Sequence, residues 1–239
     1  MSKELIEIKT DATAVFRERP NKYIAIVDII EPFEQLDVEV HVHDPGRLTE
    51  ILYPGNLLRI KHADNPNRRT AWDVIAGKID DHLVLIHSGY HRKIAIALFE
   101  NQCIKQLGKP VNIMPEVTFE ESRLDFLLEY SRKKPLWIET KGCTLVENGL
   151  AKFPDAPTKR GTKHLKSMMK LRKNGENTCV IMLIMNPNAQ SFIPNSDTDP
   201  EFAQTFFNAM DTGTAILPAV FSFVDDKINF IKLISVHSN

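Results

Sequence analysis

The first third of the chain alternates apolar and polar residues in short runs. Between residues 36 and 43 the alternation is strict, with apolar Leu36, Val38, Val40 and Val42 between polar neighbours. A period of two is typical of a strand with one buried and one solvated face. Similar runs recur within residues 5–86, separated by turn residues, and predict a small barrel. A short helical segment is predicted at residues 47–52.

The pattern changes near Gly89, where alternation gives way to helical spacing over residues 92–107. Three strand-like runs follow, at residues 113–120, 124–129 and 136–141. A helix is then predicted from an N-cap at Thr158 to Lys173, before Asn174-Gly175. The continuous apolar run at residues 178–185 is expected of a strand buried on both faces. We therefore predict two domains, residues 1–89 and 90–239, in contact because no flexible linker separates them.

The remaining segments are less regular. Residues 146–157 and 187–200 are polar and rich in turn residues, and we interpret both as loops. Asp199-Pro200 predicts the start of a helix that runs to about Asp211. Residues 215–224 and 228–235 predict a hairpin that turns at Asp225-Asp226.

The candidate catalytic residues lie on the second and third predicted strands of the C-terminal part. Glu139 and Lys141 are two residues apart on one strand, so their side chains share a face. Asp125 lies in the preceding strand, and the connection over residues 129–135 is short enough for a hairpin. Pairing of the two strands would bring Asp125 beside Glu139. Two carboxylates and a lysine at one edge of a sheet suit a hard divalent cation and an activated water.

The order helix, three strands, helix, strand, with acids and a lysine at these positions, resembles the core of the PD-(D/E)xK nuclease superfamily. Longer segments resemble the sugar fermentation stimulation protein A family: residues 122–126, 139–141, 153–156, 160–165 and 43–48. The resemblance covers nearly the whole chain. It implies an α+β protein with an N-terminal OB-like β-barrel, a C-terminal α/β nuclease-like domain with a mixed sheet, and DNA binding. His91 departs from the family pattern, in which we expect asparagine.

The resemblance also implies roles for individual residues. Asp125 and Glu139 would bind Mg²⁺ or Mn²⁺, and Lys141 would orient or activate a water or neutralise developing charge. Either Glu100 or Glu116 is a candidate for a further acid, unless both are surface residues. The predicted nucleic-acid contacts are Arg160, Lys163, His164, Lys166 and Lys170 on the second helix and Lys61, Arg68 and Arg69 on the barrel.

Two aromatic residues and two histidines of the barrel leave alternatives open. Trp72 and Tyr53 are candidates for base stacking, whereas Trp72 equally suits the barrel core. His41 and His43 face the same way on one strand. They are either surface residues or metal ligands, although the sequence shows no third ligand.

The composition limits the function classes. The formal net charge is −1, so nucleic-acid binding depends on a local basic patch such as the second helix. No run is long and apolar enough to cross a bilayer and the N-terminus is unlike a signal peptide, so we expect a cytoplasmic protein with no membrane partner. Cys103, Cys143 and Cys179 are widely spaced and predict buried, reduced thiols.

Three functions remain open. The first is a divalent-metal-dependent nuclease. The second is a non-catalytic DNA-binding regulator of sugar-metabolism genes. The third is an enzyme that acts on another, small phosphorylated substrate, which the same pair of carboxylates would serve. No helix-turn-helix is evident, so for either DNA-binding function we expect weak sequence specificity and strong salt dependence. The sequence does not indicate the oligomeric state.

Overall fold

The structure is a computed structural model that describes residues 2–65 and 67–237. It is an α+β protein, as predicted, with an N-terminal OB barrel and a mixed sheet flanked by three helices. The strands up to the predicted domain boundary are β1 (Lys3–Glu7), β2 (Ala12–Asn21), β3 (Ile24–Glu31), β4 (Gln35–His41), β5 (Leu57–His62), β6 (Trp72–Ile79) and β7 (His82–Leu85).

Five strands form the barrel, in the order β4, β3, β2, β5, β6. Neighbouring strands in this order are antiparallel, and a short parallel pairing of β4 with β6, Val40 opposite Trp72, closes the barrel. Val38 and Val40 are buried as the alternation predicts, but Leu36 is 73% exposed. The alternation breaks because Asp37 has a φ of 54°, and the register with β3 shifts there.

The prediction of a short helix at residues 47–52 is wrong. These residues form turns, and Leu48 has a φ of 51°, which a right-handed helix does not accommodate. The backbone N–H of Leu48 donates to the carboxylate of Asp155, more than a hundred residues away in sequence. Leu48 and Ile51 are nevertheless buried, so the apolar residues of the segment fill the core from a turn.

The C-terminal part continues the same sheet, because β7 pairs with a strand near the C-terminus. Its elements are α1 (His91–Glu100), β8 (Asn112–Phe119), β9 (Ser122–Glu129), β10 (Leu136–Cys143), β11 (Val146–Glu147), β12 (Leu150–Phe153), α2 (Lys159–Lys173), β13 (Asn177–Ile184), β14 (Ser191–Pro194), α3 (Pro200–Asp211), β15 (Ala215–Val224), β16 (Lys227–Leu233) and β17 (Ser235–Val236). The order of the large sheet from β7 onward is β15, β13, β10, β9, β8, with β16 on the other side of β15.

The predicted C-terminal strands and helices are present, with two changes. The helix predicted over residues 92–107 ends at Glu100, because Gln102 has a φ of 51°, and a 3₁₀ turn follows at Lys105–Leu107. Ile104 and Leu107 still reach the core. The first strand, β1, is antiparallel to β16, so residues that we assigned to the barrel domain extend the C-terminal sheet.

A second, smaller sheet replaces the two predicted loops. It is formed by β11, β12, β14 and β17. In it, β14 pairs in parallel with β12 on one side and with β17 on the other. Only a few of its residues are inward-facing, notably Ala151 and Phe192, which explains why the sequence is polar. Phe192 packs against Phe206 of α3, so this sheet covers the helix.

The helices lie on the two faces of the large sheet. Leu165, Met168 and Leu171 of α2 share one apolar cluster with Phe202 and Phe206 of α3. On the other side, α1 contributes to the main core with the barrel, where Phe99 of α1 meets the ring of Phe126 edge to face. The strand between these layers, β13, is buried almost throughout, as its continuous apolar run predicts.

None of the helices in the described part of the chain combines the length and the apolar character that crossing a lipid bilayer requires. The three cysteines are free thiols; Cys143 and Cys179 are buried as predicted, whereas Cys103 is half-buried.

Asp199 links the N-termini of α2 and α3. One carboxylate oxygen caps α3 by accepting from the N–H of Phe202, at 2.9 Å, and the other accepts from the N–H of Thr158, at 2.8 Å. Thr158 in turn caps α2. We expect Asp199→Ala to lower the free energy of unfolding by about 1 to 3 kcal/mol, because a cap is lost and Thr158 N–H loses its partner.

Chemical denaturation measures this loss. Asp197→Ala is the matched control, because Asp197 is an exposed acid of the same segment. Equal stability of the two variants would contradict the linking role of Asp199.

Candidate functional site

A cavity of about 900 Å³ lies between the barrel and the C-terminal sheet. Its lining includes the barrel turn at residues 44–48, the strands β9 and β10, and the starts of α1 and α2. All three residues predicted as the catalytic group, Asp125, Glu139 and Lys141, line this cavity. The structure therefore brings them together, as the strand pattern predicts.

Asp125 lies where the hydrogen-bonded pairing of β9 with β10 ends, and this fixes the position of its side chain. β9 and β10 are antiparallel as far as Ile138 opposite Phe126. Beyond that pair, the backbone N–H of Thr140 donates to the Asp125 carboxylate instead, at 2.7 Å, and the Thr140 hydroxyl donates to the same oxygen at 2.6 Å. Burial raises the pKa of Asp125, and the nearby charge of Glu139 raises it further.

Glu139 is the most enclosed member of the group, at 1% exposure. Its Oε1 forms an ion pair with Lys141 and lies 2.5 Å from Nδ1 of His164. Burial alone would raise the pKa of Glu139, but Lys141 and His164 together outweigh burial and lower it. The carboxylate is thus held in the charged form inside the protein.

The second oxygen of Glu139 supports a cation site. Oε2 is buried and has no hydrogen-bond partner among the described residues. An unpaired buried carboxylate oxygen is costly unless something binds it. Asp125 is close enough for the two acids to oppose each other's ionisation. A divalent cation would satisfy Oε2 and remove this repulsion, so the donor set fits Mg²⁺ or Mn²⁺.

His91 lines the same cavity from the start of α1. A Cβ at position 142 would lie 2.2 Å from Cε1 of His91, so only glycine allows the ring to pack there. Burial, and then the charge of Lys141, lowers the pKa of His91 to about 4. The ring is therefore neutral at physiological pH. The sequence marked this position only as a departure from the family pattern.

The barrel turn and the segment between β12 and α2 each add an acid that the sequence did not assign to the site. Asp44 and Asp155 both line the cavity, and both approach Gly46: a Cβ there would lie 2.5 Å from Asp155 Oδ2 and 3.0 Å from Asp44 Oδ1. Burial raises the pKa of Asp44. Pattern reasoning identified Asp44-Pro45-Gly46 only as a turn. The one signal of a larger role for this turn was that residues 43–48 are among the segments that resemble the family.

The residues of α2 separate into two groups. Arg160 is exposed and lines the cavity, whereas His164, predicted as a nucleic-acid contact, is buried and bonded to Glu139. This placement makes His164 a partner of the acids rather than a surface group. The exposed lysines each lie beside a glutamate: Lys163 with Glu121, Lys166 with Glu201 and Lys170 with Glu120. Their contact with nucleic acid stays a prediction.

The barrel candidates lie away from the cavity. Arg68 binds Asp73 with both terminal nitrogens, at 2.9 and 2.5 Å, and Arg69 pairs with Glu39 at the surface. Trp72 is buried at 9% exposure, in agreement with a core role, and Tyr53 is 47% exposed. Lys61 is half-buried on β5. Roles of Lys61, Arg68 and Arg69 in nucleic-acid binding stay predictions.

Of the two candidate additional acids, Glu116 lines the cavity, where it is paired with Arg92. Glu100 is exposed at the last position of α1 and is outside the cavity lining.

The barrel histidines have more neighbours than the sequence shows. His43, Asp73 and His87 offer three ligand atoms within 4.8 Å of one another. However, the rings of His43 and His87 are stacked, with centroids 3.6 Å apart and planes at 26°. Stacked rings cannot both direct in-plane lone pairs at one ion, and Arg68 already neutralises Asp73. We therefore interpret the group as a packed polar cluster.

Comparison with known proteins places the chain among related sequences. The family model of the SfsA N-terminal OB domain matches residues 18–86, and that of the sugar fermentation stimulation protein RE domain matches residues 89–227. A sugar fermentation stimulation protein homolog of Methanococcoides burtonii is 41% identical over 92% of this chain and 89% of its own length. Another, from Thermosipho melanesiensis, is 41% identical over 97% of each chain.

A solved structure has the same fold. The structure of Pyrococcus furiosus SfsA in complex with Ca²⁺ aligns with a TM-score of 0.88, over 98% of this chain and 99% of the other, at 23% sequence identity.

The raised pKa of Asp125 predicts a pH-dependent stability. Folding favours the protonated form, so the stability linked to this group is present at acidic pH and is lost as the pH rises through the folded-state pKa. We expect Asp125→Asn, which keeps an acceptor for Thr140, to be more stable than the wild type at neutral pH. The difference should shrink as the pH falls below the pKa of a free aspartate. Denaturant unfolding across this range measures it.

Asp81→Asn serves as the control, because its side chain is 96% exposed. An Asp125→Asn variant that is less stable than wild type at neutral pH would contradict this account of the site.

Proposed function

The chain belongs to the sugar fermentation stimulation protein family, and we propose that it is a DNA-binding protein whose C-terminal domain hydrolyses phosphodiester bonds with Mg²⁺ or Mn²⁺. The observation that carries this proposal is the convergence of Asp125, Glu139 and Lys141 in one cavity, with a buried oxygen of Glu139 left unpaired.

Asp125 and Glu139 would hold the cation. When bound, the cation polarises a phosphate and lowers the pKa of a bound water. The Ca²⁺ named with the Pyrococcus furiosus protein supports a divalent cation for this fold, because hard cations share carboxylate ligands.

The other residues would act on the substrate or on the acids. Lys141 stands beside Glu139 and would neutralise charge that develops on the phosphate. His164, on α2, contacts the same Glu139 oxygen as Lys141 and so holds the carboxylate in one orientation. The first turn of α2 opens on the cavity, where Thr158, Arg160 and Gly161 line the wall. Backbone N–H groups at a helix N-terminus favour anions, and Arg160 adds a bidentate phosphate donor.

The same scaffold without hydrolysis would give a DNA-binding regulator, for which the family name suggests sugar metabolism. Such a protein would bind DNA and leave it intact with every metal. The cleavage experiment below decides between the two functions.

We expect wild-type protein to cleave plasmid or oligonucleotide DNA only with Mg²⁺ or Mn²⁺, and Glu139→Gln and Lys141→Ala to lose cleavage by at least about a hundredfold. Mn²⁺ should also raise the melting temperature of the wild type and not that of Glu139→Gln, because a ligand oxygen is lost. Glu147→Gln, which changes a glutamate outside the cavity lining, should behave as wild type. DNA binding without cleavage under any condition would favour the regulator.

The exposed lysines of α2 give a separate prediction. We expect Lys163→Ala with Lys166→Ala to weaken binding of all DNA sequences alike and to make the salt dependence of binding shallower, because each phosphate contact releases counterions. Fluorescence anisotropy at several salt concentrations measures both. Lys227→Ala, an exposed lysine paired with Glu4 on the C-terminal hairpin, is the control. Equal affinity of the double variant and the wild type would remove this helix face from the binding surface.

A further inference from the structure

The barrel turn forms a fixed wall of the catalytic cavity. Leu48 N–H donates to Asp155 at 3.2 Å, and the Thr144 hydroxyl donates to Glu50 at 2.8 Å, so two hydrogen bonds tie the barrel to the C-terminal domain. The domains also share one sheet through β7 and β15. These contacts hold the barrel turn against the C-terminal domain, so the turn is part of the cavity wall.

The candidate acids lie deep in the cavity. Glu139 lines it and is only 1% exposed. A nucleic acid must therefore bring a phosphate into a recess to reach this carboxylate. A flexible single strand bends into such a recess more easily than a duplex, which is stiff over about 150 base pairs.

The rim next to the barrel turn carries an exposed aromatic residue. Arg19 donates to the backbone oxygens of Lys22, Asp44 and Gly46, at 2.7, 2.9 and 2.6 Å, and so holds the β2–β3 turn beside the barrel turn. The side chain of Lys22 lines the cavity. Tyr23 follows it, is 44% exposed and has the Lys22 ammonium 4.9 Å from its ring centroid.

An exposed ring beside an ammonium is the combination that binds single strands, because bases stack on the ring while the cation meets the phosphate. In a duplex the bases are already stacked on one another and their faces are not available. The sequence suggested Tyr53 and Trp72 for this role, but Trp72 is buried and neither residue lines the cavity.

We propose that the substrate is single-stranded DNA, including unpaired ends and flaps, which crosses the barrel rim with a base on Tyr23 and a phosphate near Lys22 before it enters the catalytic cavity. Cleavage of the bound strand rests on the proposed hydrolysis, whereas binding of the strand does not depend on it.

The test measures binding and cleavage separately. Fluorescence anisotropy with a labelled single-stranded deoxyoligonucleotide, without divalent metal, compares wild type with Tyr23→Ala, Tyr23→Phe and Tyr53→Ala. We expect Tyr23→Ala to weaken binding by at least about fivefold, because a stacking ring is lost. Tyr23→Phe keeps the ring and should bind as wild type. Tyr53→Ala is the matched control, since Tyr53 is similarly exposed, at 47%, outside the cavity lining.

Three results of the binding experiment would overturn the proposal. They are unchanged affinity of Tyr23→Ala, an equal loss of affinity for a closed duplex, and tighter binding of single-stranded RNA than of DNA. Unfolding curves of Tyr23→Ala that match those of the wild type show that a loss of affinity is not a loss of fold.

The cleavage arm uses Mn²⁺ with a single strand, a flap and a covalently closed duplex. We expect the single strand and the flap to be cut at least about tenfold faster than the closed duplex, since they bend into the cavity more easily. Equal rates on all three would overturn single-strand entry. No cleavage, together with a binding loss in Tyr23→Ala, would refute the proposed hydrolysis and support single-strand binding.

Discussion

The charge of Glu139 is the constraint on which the site depends. A carboxylate that is almost fully removed from solvent is stable only when cations and donors surround it. Lys141 supplies one partner from the same strand, and His164 supplies another from α2. The contact with His164 fixes the position of α2 on the sheet. One buried charge thus couples the packing of the helix to the arrangement of the catalytic group.

The two acids of the site differ because their surroundings differ. Asp125 accepts two hydrogen bonds from Thr140 where the ladder between β9 and β10 ends, yet burial and the neighbouring acid keep its pKa high. Glu139 has nearby positive charge and a lowered pKa. The pKa values of these two close acids shift in opposite directions, and Oε2 of Glu139 has no partner within residues 2–65 and 67–237, so the pair is suited to the proposed cation. The electrostatics and the proposed hydrolysis therefore have the same physical origin.

The barrel contributes to the lining of the candidate cavity and is not a separate module. It is joined to the C-terminal sheet through β7 and contacts it through the turn at residues 44–48. The basic face of α2, in contrast, is less positive than its sequence indicates, because three of its lysines lie beside glutamates. Exposed pairs of this kind are weak and exchangeable. In the proposed function, nucleic acid would compete with these glutamates on α2, whereas at the rim it would meet Lys22 beside an exposed ring.

Local patterns in the sequence predicted most strands of the large sheet, the helix caps at Thr158 and Asp199, and the shared face of Glu139 and Lys141, because periodicity and capping depend on residues that are near in the chain. The resemblance to a family added the expectation that these residues belong to a nuclease-like core. The pairing of β1 with β16, the strands of the second sheet within segments predicted as loops, and the inward orientation of His164 are visible only in the folded chain. These features depend on hydrogen bonds and burial between distant segments, which no local pattern records.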